Sequence, residues 1–407
     1  MRIEKFFFSK GEIKYNNGDY YSGTYRINDE KMNGRMKYNN GDEYIGEWKK
    51  SKKEGNGIMK YKNGDKYNGN WKNDEKEGEG IMIYLNGNIY NGEWIKNNFY
   101  KGNMKYINGD NYNGEWKNNK REGVGILKYN DGTIYEGNWV NDKKEGLGNI
   151  KYSDGNIYNG NWFNDKKYGN GIFSVKNEGE YNGTFVNDQK EGQGKMIYYN
   201  GNNYEGDWKN NLKEGYGKMK YKNGEEYNGE FNNGKKEGKG MMIYLNGDIY
   251  EGNFINDLKE GKGKMKNKNG DEFIGQWEKD KKQGHGLFKY NNGEIYDGEW
   301  VNNSFVSGII TYMNGDEYKG LITDNKRNGY GTMKYKNGEY YEGNWQNNLK
   351  HGVGKILYNN EDKFCGSWVN DVKEGEGIYN YNNGNVFIGN WKNNIFISGK
   401  KKLQQWK

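Results

Sequence analysis

The 407-residue chain has no proline, one cysteine and two histidines. Proline interrupts a ladder of backbone hydrogen bonds, so its absence leaves a continuous β-sheet unobstructed. The lone Cys365 excludes an internal disulfide framework and fits a reducing compartment. His285 and His351 stand far apart, each beside a pair of glycines, so neither a two-histidine metal site nor a histidine-based triad can be assembled locally. No GxxxxGK[ST] loop is present, and no cofactor is expected. Long apolar runs are missing as well. Phe6-Phe7-Phe8 is too short for a signal-peptide core or a membrane span, Arg2 does not fit N-myristoylation, and Gln405-Trp406-Lys407 is not a prenylation box. These absences predict a cytoplasmic protein. The net charge of +7 is a small excess of 63 basic over 56 acidic residues spread along the whole length, which is not a nucleic-acid footprint.

What the chain has is glycine, tyrosine and tryptophan on a fixed period. Hydrophobic residues make up 32% and mean hydropathy is −1.31, values that suit disorder in an aperiodic chain. Here the aromatics, 16% of residues, fall on one register, which predicts a folded repeat array. The unit is seen in Tyr61 to Ile83, YKNGDKYNGNWKNDEKEGEGIMI. It holds a turn signal (Asn63-Gly64), the triplet Tyr67-x-Gly69-x-Trp71, and a pair Gly78-x-Gly80 leading into a short apolar run. The next unit repeats the triplet as Tyr90, Gly92 and Trp94. Seventeen units start between Tyr15 and Tyr381, each 23 residues long except the two of 22 that start at Tyr84 and Tyr290.

Asn-Gly or Asp-Gly flanked by alternating residues is a strong hairpin signal. Parity selects the loop, because a one-residue slip exchanges the two faces of a strand. A two-residue loop at Asn63-Gly64 scatters the apolar groups. A three-residue loop, Lys62-Asn63-Gly64, pairs Tyr61 with Asp65, Met59 with Tyr67, Gly57 with Gly69 and Gly55 with Trp71, and so gathers Tyr61, Met59, Tyr67 and Trp71 on one face. The glycines then read as sockets for the rings, with Tyr67, Gly69, Trp71, Gly78, Gly80, Tyr90, Gly92 and Trp94 as the structural core of two successive units.

Departures from the pattern mark candidate contacts. After Trp94, Trp300 and Trp391 the charged Lys-Glu step becomes Phe99-Tyr100, Phe305-Val306 and Phe396-Ile397. Either a ring fills the space of the missing glycine socket, or these residues form a contact surface for a protein partner or a second copy of the chain. A cation recurs once per unit along one edge, as Lys53, Lys76, Arg121, Lys144, Lys190, Lys213, Lys236 and Lys259, and this row is a candidate edge for an anionic membrane. Most of these cations are followed directly by glutamate, which favours a solvated edge. Ile322 replaces the tryptophan of its unit, and the tips at Val175–Gly179 and Asn360-Glu361-Asp362 depart from the turn signal and are expected to be looser. Residues 1–14 are expected to cap the array, residues 15–402 to form it, and residues 403–407 to be a tail.

The pattern YxNGxxYxGxWxNxxxxGxGxxx, carried from Tyr15 to about Lys402, resembles the membrane occupation and recognition nexus (MORN) repeat. The resemblance implies an all-β, elongated, single-layer antiparallel meander of about 17 hairpins whose Tyr, Gly and Trp are structural. Similar repeats accompany lipid kinases and junctophilins, occur in cilium-associated proteins, and stand alone as scaffolds of protozoan cortical cytoskeleton. With no catalytic domain attached, this chain resembles the last type. That implies a non-enzymatic scaffold with protein partners, peripheral to a membrane or cytoskeletal structure at the cell cortex or cilium. The Phe396 loop at the uncovered C-terminal edge adds the expectation of self-association through the C-terminal repeats. The alternative is a phosphoinositide-binding module acting through the lysine edge.

Overall fold

The computed structural model describes residues 8–28 and 30–404. These hold 35 β-strands, numbered in chain order from β1 (Phe8–Lys14) to β35 (Ile395–Lys402), and no helix. Of the expected cap, residues 1–7 lie outside the described residues, and Phe8–Lys14 pairs antiparallel with β2 (Tyr20–Arg26). The last three residues of the expected tail likewise lie outside them. The described chain divides into two compact units, one running to Gly201 with Trp208–Asn211, the other comprising Asn202–Asp207 and the residues from Leu212 onward. Within each unit the strands form an antiparallel meander, each packed mainly on its two chain neighbours.

The local geometry follows from the turn chemistry. Between β5 (Lys52–Lys60) and β6 (Lys66–Lys72), the Tyr61 N–H donates to the Asp65 carbonyl at 2.9 Å and the Gly64 N–H to the Tyr61 carbonyl at 2.9 Å. Gly64 sits at φ +96°, where only glycine is unstrained, so the loop is the three-residue one with a bulge. The register follows: Met59 opposes Tyr67, Gly57 opposes Gly69, and Gly55 opposes Trp71.

The second hairpin of the unit has a different turn. From β6 to β7 (Glu75–Ile83) the chain reverses through Asn73 at φ 49° and Asp74 at φ 72°, a two-residue turn of the type whose twist matches antiparallel strands. Gly69 then opposes Gly80 while Trp71 opposes Lys76, so residues 77–79 bulge outward against Asn70. Gly78, at φ +77°, makes that bulge. The first glycine of each pair is therefore there for its backbone angle and seats no ring: above Gly55 the nearest side chain is Glu47. Only the triplet glycine and the second of the pair are sockets.

Those sockets align across every strand. Gly57, Gly69, Gly80 and Gly92 face one another in successive ladders, and the same row continues through each unit. Tyr67 lies along its own glycine pair and donates its hydroxyl proton to the Asn70 carbonyl at 2.9 Å. A methyl group at Gly69 would meet both the Tyr67 Oη and the Glu79 carbonyl at 2.6 Å, closer than real carbon contacts come. Trp71 Nε1 donates to the Gly57 carbonyl at 3.2 Å. The rings then lock in a zigzag of edge-to-face contacts, Tyr44–Trp71 at 5.5 Å, Trp71–Tyr67 at 5.2 Å and Tyr67–Trp94 at 5.2 Å, a geometry that the ring quadrupole favours. Tyr67 is fully buried and Trp71 nearly so, and burying a ring of this size contributes roughly 4–6 kcal/mol. A sheet that buries its own rings on one face keeps them dry.

The hairpin tips are tied as well. The Asp65 carboxylate accepts the Leu85 N–H of the next unit at 2.8 Å, and Asp42 does the same for Lys62 at 2.8 Å. The tip at residues 358–362, expected to be loose, keeps both turn hydrogen bonds, with Glu361 in the left-handed region at φ 67°. Asp362 is buried there, held by the Asn382 N–H and the Tyr379 hydroxyl.

Candidate functional site

The ring face also holds the cation that recurs in each repeat. Lys76 stands opposite Trp71 on its strand, and its side chain runs across the ring face. Its Nζ lies 5.6 Å from the centroid of Tyr61, 5.5 Å from Tyr67 and 4.6 Å from Trp94 of the following repeat. Lys144 repeats this against Tyr129 at 5.7 Å, Tyr135 at 5.5 Å and Trp162 at 5.1 Å. Two tyrosines of one repeat and the tryptophan of the next thus form a cage whose negative ring faces attract the ammonium. The caged residue is anchored through its backbone too, the Lys76 N–H donating to Asn97 Oδ1 at 2.9 Å.

This placement corrects the lipid-edge expectation. Lys53, Lys76, Arg121, Lys144, Lys190, Lys213, Lys236 and Lys259 do not present their charges in a row to water. Each lies over aromatic rings. Lys190 is only 8% exposed and Lys259 9%, so neither can meet a lipid headgroup without leaving its cage. Burial pulls the pKa of Lys76, and likewise of Lys282, down to about 8, against the pull of a nearby aspartate in each case. The same burial pushes the Tyr61 hydroxyl up to about 12.

The partner-contact expectation is corrected in part. Phe99 opposes Trp94, the place that Lys76 holds opposite Trp71, so the phenylalanine stands where the caged cation would be. It stacks on Tyr90 with centroids 4.0 Å apart and meets Trp116 edge-on at 5.2 Å. Phe305 opposes Trp300 and Phe396 opposes Trp391 in the same way. Phe99 and Phe305 are buried and Phe396 half-buried, because each ring fills its own repeat's cage. Beside them Tyr100 and Ile397 face out, 49% and 59% exposed, and Val306 is half-buried. As for the expected structural core, Tyr67, Trp71, Tyr90 and Trp94 are buried side chains of the ring face, Gly69, Gly80 and Gly92 lie in the aligned row, and Gly78 makes the bulge.

One repeat breaks the cage pattern twice. Phe305 replaces its cation, and Ile322 replaces the following tryptophan. The atoms nearest the space above Gly298 and Gly308 are backbone, so Tyr296 has left the glycine pair. It leans instead on Tyr290 and Phe305, with centroids 5.1 and 5.2 Å away. A pocket of about 680 Å³ opens there, lined by Tyr290, Tyr296, Phe305, Tyr312 and Ile322, with the carboxylates of Glu294 and Asp316 at its edge. The cages and this pocket were missed by sequence reasoning. Their signal was available in the cation that stands 15 residues after the first position of most repeats, as in Tyr61 and Lys76.

The face turned away from the rings is open. In the second unit a trough of about 1260 Å³ runs over Gly240, Gly252, Gly263 and Gly275, beside Tyr216 and Ile274, which are 64% and 44% exposed. In the first unit Ile45, Ile81, Leu147 and Ile172 are exposed on the corresponding face. Among the described residues no group of three or more His, Cys, Asp or Glu is arranged to hold a metal ion, and no helix is long and apolar enough to cross a membrane.

The family model described as MORN repeat matches fourteen segments, covering residues 44–89, 112–177 and 181–386. The gap at 90–111 contains Phe99. No curated protein matches the chain. Among solved structures, the TCP10 domain of Danio rerio CPAP in complex with a peptide of Danio rerio STIL is 10% identical, over 64% of this chain and 96% of that one, with a TM-score of 0.22. The SAS-4 (dCPAP) TCP domain of Drosophila melanogaster, in complex with a proline-rich motif of Ana2 (dSTIL), is 11% identical over 48% and 87%, with a TM-score of 0.19. A streptogramin B lyase is 13% identical over 78% and 95%, with a TM-score of 0.12. At such scores none of the three bears on fold, partners or location.

Proposed function

Because the chain belongs to the MORN repeat family, a non-enzymatic repeat module, we propose that it is itself a scaffold without catalytic activity, on which proteins assemble at membrane-associated cytoskeleton near the cell cortex or a cilium. The observation that carries this reading is the ring-free face. Its isoleucines, leucine and tyrosine are exposed at intervals along both units, and recurrent exposed apolar groups suit protein contact. The cations that would serve an anionic membrane are held in aromatic cages, so the lipid-binding alternative is not carried forward.

Copies of the chain associate through the C-terminal repeats in this proposal. Ile395 and Ile397 of β35 are 64% and 59% exposed, beside the half-buried Phe396. Size-exclusion chromatography with light scattering tests it: the wild-type chain is expected as a dimer or larger, and Ile397→Asp, which touches no buried ring, as a monomer. A wild-type monomer at every concentration would remove self-association. Proximity labelling in the native cell tests the location, and diffuse cytosolic neighbours alone would remove it.

A further inference from the structure

The chain's own cages say what the pocket beside Ile322 is built to hold. In every other complete cage a lysine or arginine of the same chain reaches in, as Lys76, Lys144 and Lys350 do, the last with its Nζ 5.4 Å from Trp368 and 5.5 Å from Tyr341. The Phe99 repeat also lacks its cation, but there the following Trp116 is kept and the ring of Phe99 closes the space. At Phe305 the following residue is Ile322, about half the size of a tryptophan side chain. Tyr290 and Tyr296 still line the space, while the tryptophan wall and the cation are both gone.

Glu294 adds the charge. In the neighbouring tips an aspartate or asparagine at its position accepts the next repeat's backbone N–H, as Asp271 does from Asn291 and Asp316 from Lys336. The Glu294 carboxylate makes no hydrogen bond among the described residues and lies at the pocket edge. Burial raises the pKa of the Tyr290, Tyr296 and Tyr312 hydroxyls, and the Glu294 charge adds to the rise in each. The one cation on the wall, Arg327, belongs to the next cage: its guanidinium lies 4.4 Å from Trp345 and donates to the Asn348 carbonyl at 2.8 Å.

We propose that this pocket receives a lysine side chain from a protein partner, which takes the place that the chain's own lysine holds in the regular repeats. The ammonium meets Tyr290, Tyr296 and the Glu294 carboxylate, and the methylene stem lies on Phe305 and Ile322. The pocket's volume falls in the range of natural ligand sites and exceeds one side chain, leaving room for the partner's backbone beside it. This inference names one contact chemistry within the scaffold reading. Its test uses a small cation in place of an assembly, so the two can fail separately.

The probe is the Nα-acetylated amide of lysine, compared with that of norleucine, which has a similar stem and no charge. Binding is read on the full chain by NMR of labelled methionine methyl groups, since Met313 and Met333 line the pocket. The expected result is a saturable shift of those two signals with lysine and little with norleucine. Ile322→Trp restores the regular wall and Phe305→Lys supplies an internal competitor, so each is expected to abolish the shift. Glu294→Gln is expected to weaken it several-fold, and added salt to weaken it further. Equal shifts with norleucine, no shift with lysine at any concentration, or shifts unchanged in both pocket-filling variants would each overturn the proposal. The methionine spectrum of each variant reports whether the chain has folded.

Discussion

Three repeats have exchanged their caged cation for phenylalanine, and the two that another repeat follows have not fared alike. At Phe99 the tyrosine stays over its glycines, with the Tyr90 hydroxyl donating to the Glu93 carbonyl at 2.9 Å, and Phe99 packs between Tyr90 and Trp116. At Phe305 the matching tyrosine has moved off and the ring face is breached. Both loops are one residue shorter than usual and both carry the same aromatic replacement, so neither feature causes the breach. The difference lies one repeat further on, in Trp116 against Ile322. A cage is finished by its successor. The order of a repeat's wall is thus decided by a residue 17 positions downstream, Trp116 for Phe99 and Ile322 for Phe305.

The largest test removes the tyrosines themselves. Tyr112 is fully buried over Gly114 and Gly125, so Tyr112→Ala is expected to cost about 4 kcal/mol in urea unfolding followed by tryptophan fluorescence. Tyr296 is half-exposed and off its glycines, and Tyr296→Ala is expected to cost roughly 1–2 kcal/mol. Equal costs would mean that the displaced ring still carries its share. Next in size is the reciprocal exchange of the successors. Trp116→Ile should cost about 3 kcal/mol and open a pocket beside Phe99, seen as a new lysine-amide shift of the Met104 methyl. Ile322→Trp should instead stabilise by about 1 kcal/mol. If Trp116→Ile left the Phe99 repeat closed, the downstream rule would be wrong.

The smallest effect is in pH and separates caged lysine from caged phenylalanine. The folded chain releases the Lys76 proton near pH 8, and the unfolded chain holds it to about 10.5. Between those values unfolding takes up a proton, so stability rises with pH; below about 8 both states are charged and the slope vanishes. Above 10 the buried tyrosines reverse the trend, because Tyr61, pushed up to about 12, ionises first in the unfolded chain. Stability should therefore peak near pH 10. Lys76→Met should make the rise shallower by one lysine's share, since Lys282 and other caged lysines also contribute, and Phe99→Leu, with no titrating group at that place, should leave its slope unchanged. Thermal midpoints across pH 7 to 11 measure both.

Much of this was legible in the sequence, because turn residues act locally. Asn63-Gly64 and the parity of Met59, Tyr61 and Tyr67 were enough to set the first hairpin's register to the residue. The second turn was not recognised, since Asn73-Asp74 has no glycine to mark its positive angles. Gly78 was taken for a socket because a pattern shows that glycine is required without showing whether for space or for backbone angle. The lysines were hardest. Lys76 followed by Glu77 reads as a solvated pair, and only the position of Trp94, a full repeat away, reveals that the ammonium turns inward while Glu77 accepts the Lys96 N–H at 3.0 Å. The burial of Phe99 follows from the same unseen neighbour.

The tie between tips has a direction. Asp65 accepts from Leu85, never the reverse, and the aspartates at this place, such as Asp42, Asp271 and Asp316, are each answered by the copy after it. Modules with an aspartate at the tip thus offer the same plug behind and the same receptacle ahead, so such copies could be duplicated or lost in the gene without creating a foreign junction. Ile322 is the exception that such copying would expose: moved elsewhere, its module would carry the breach to whichever neighbour happened to precede it.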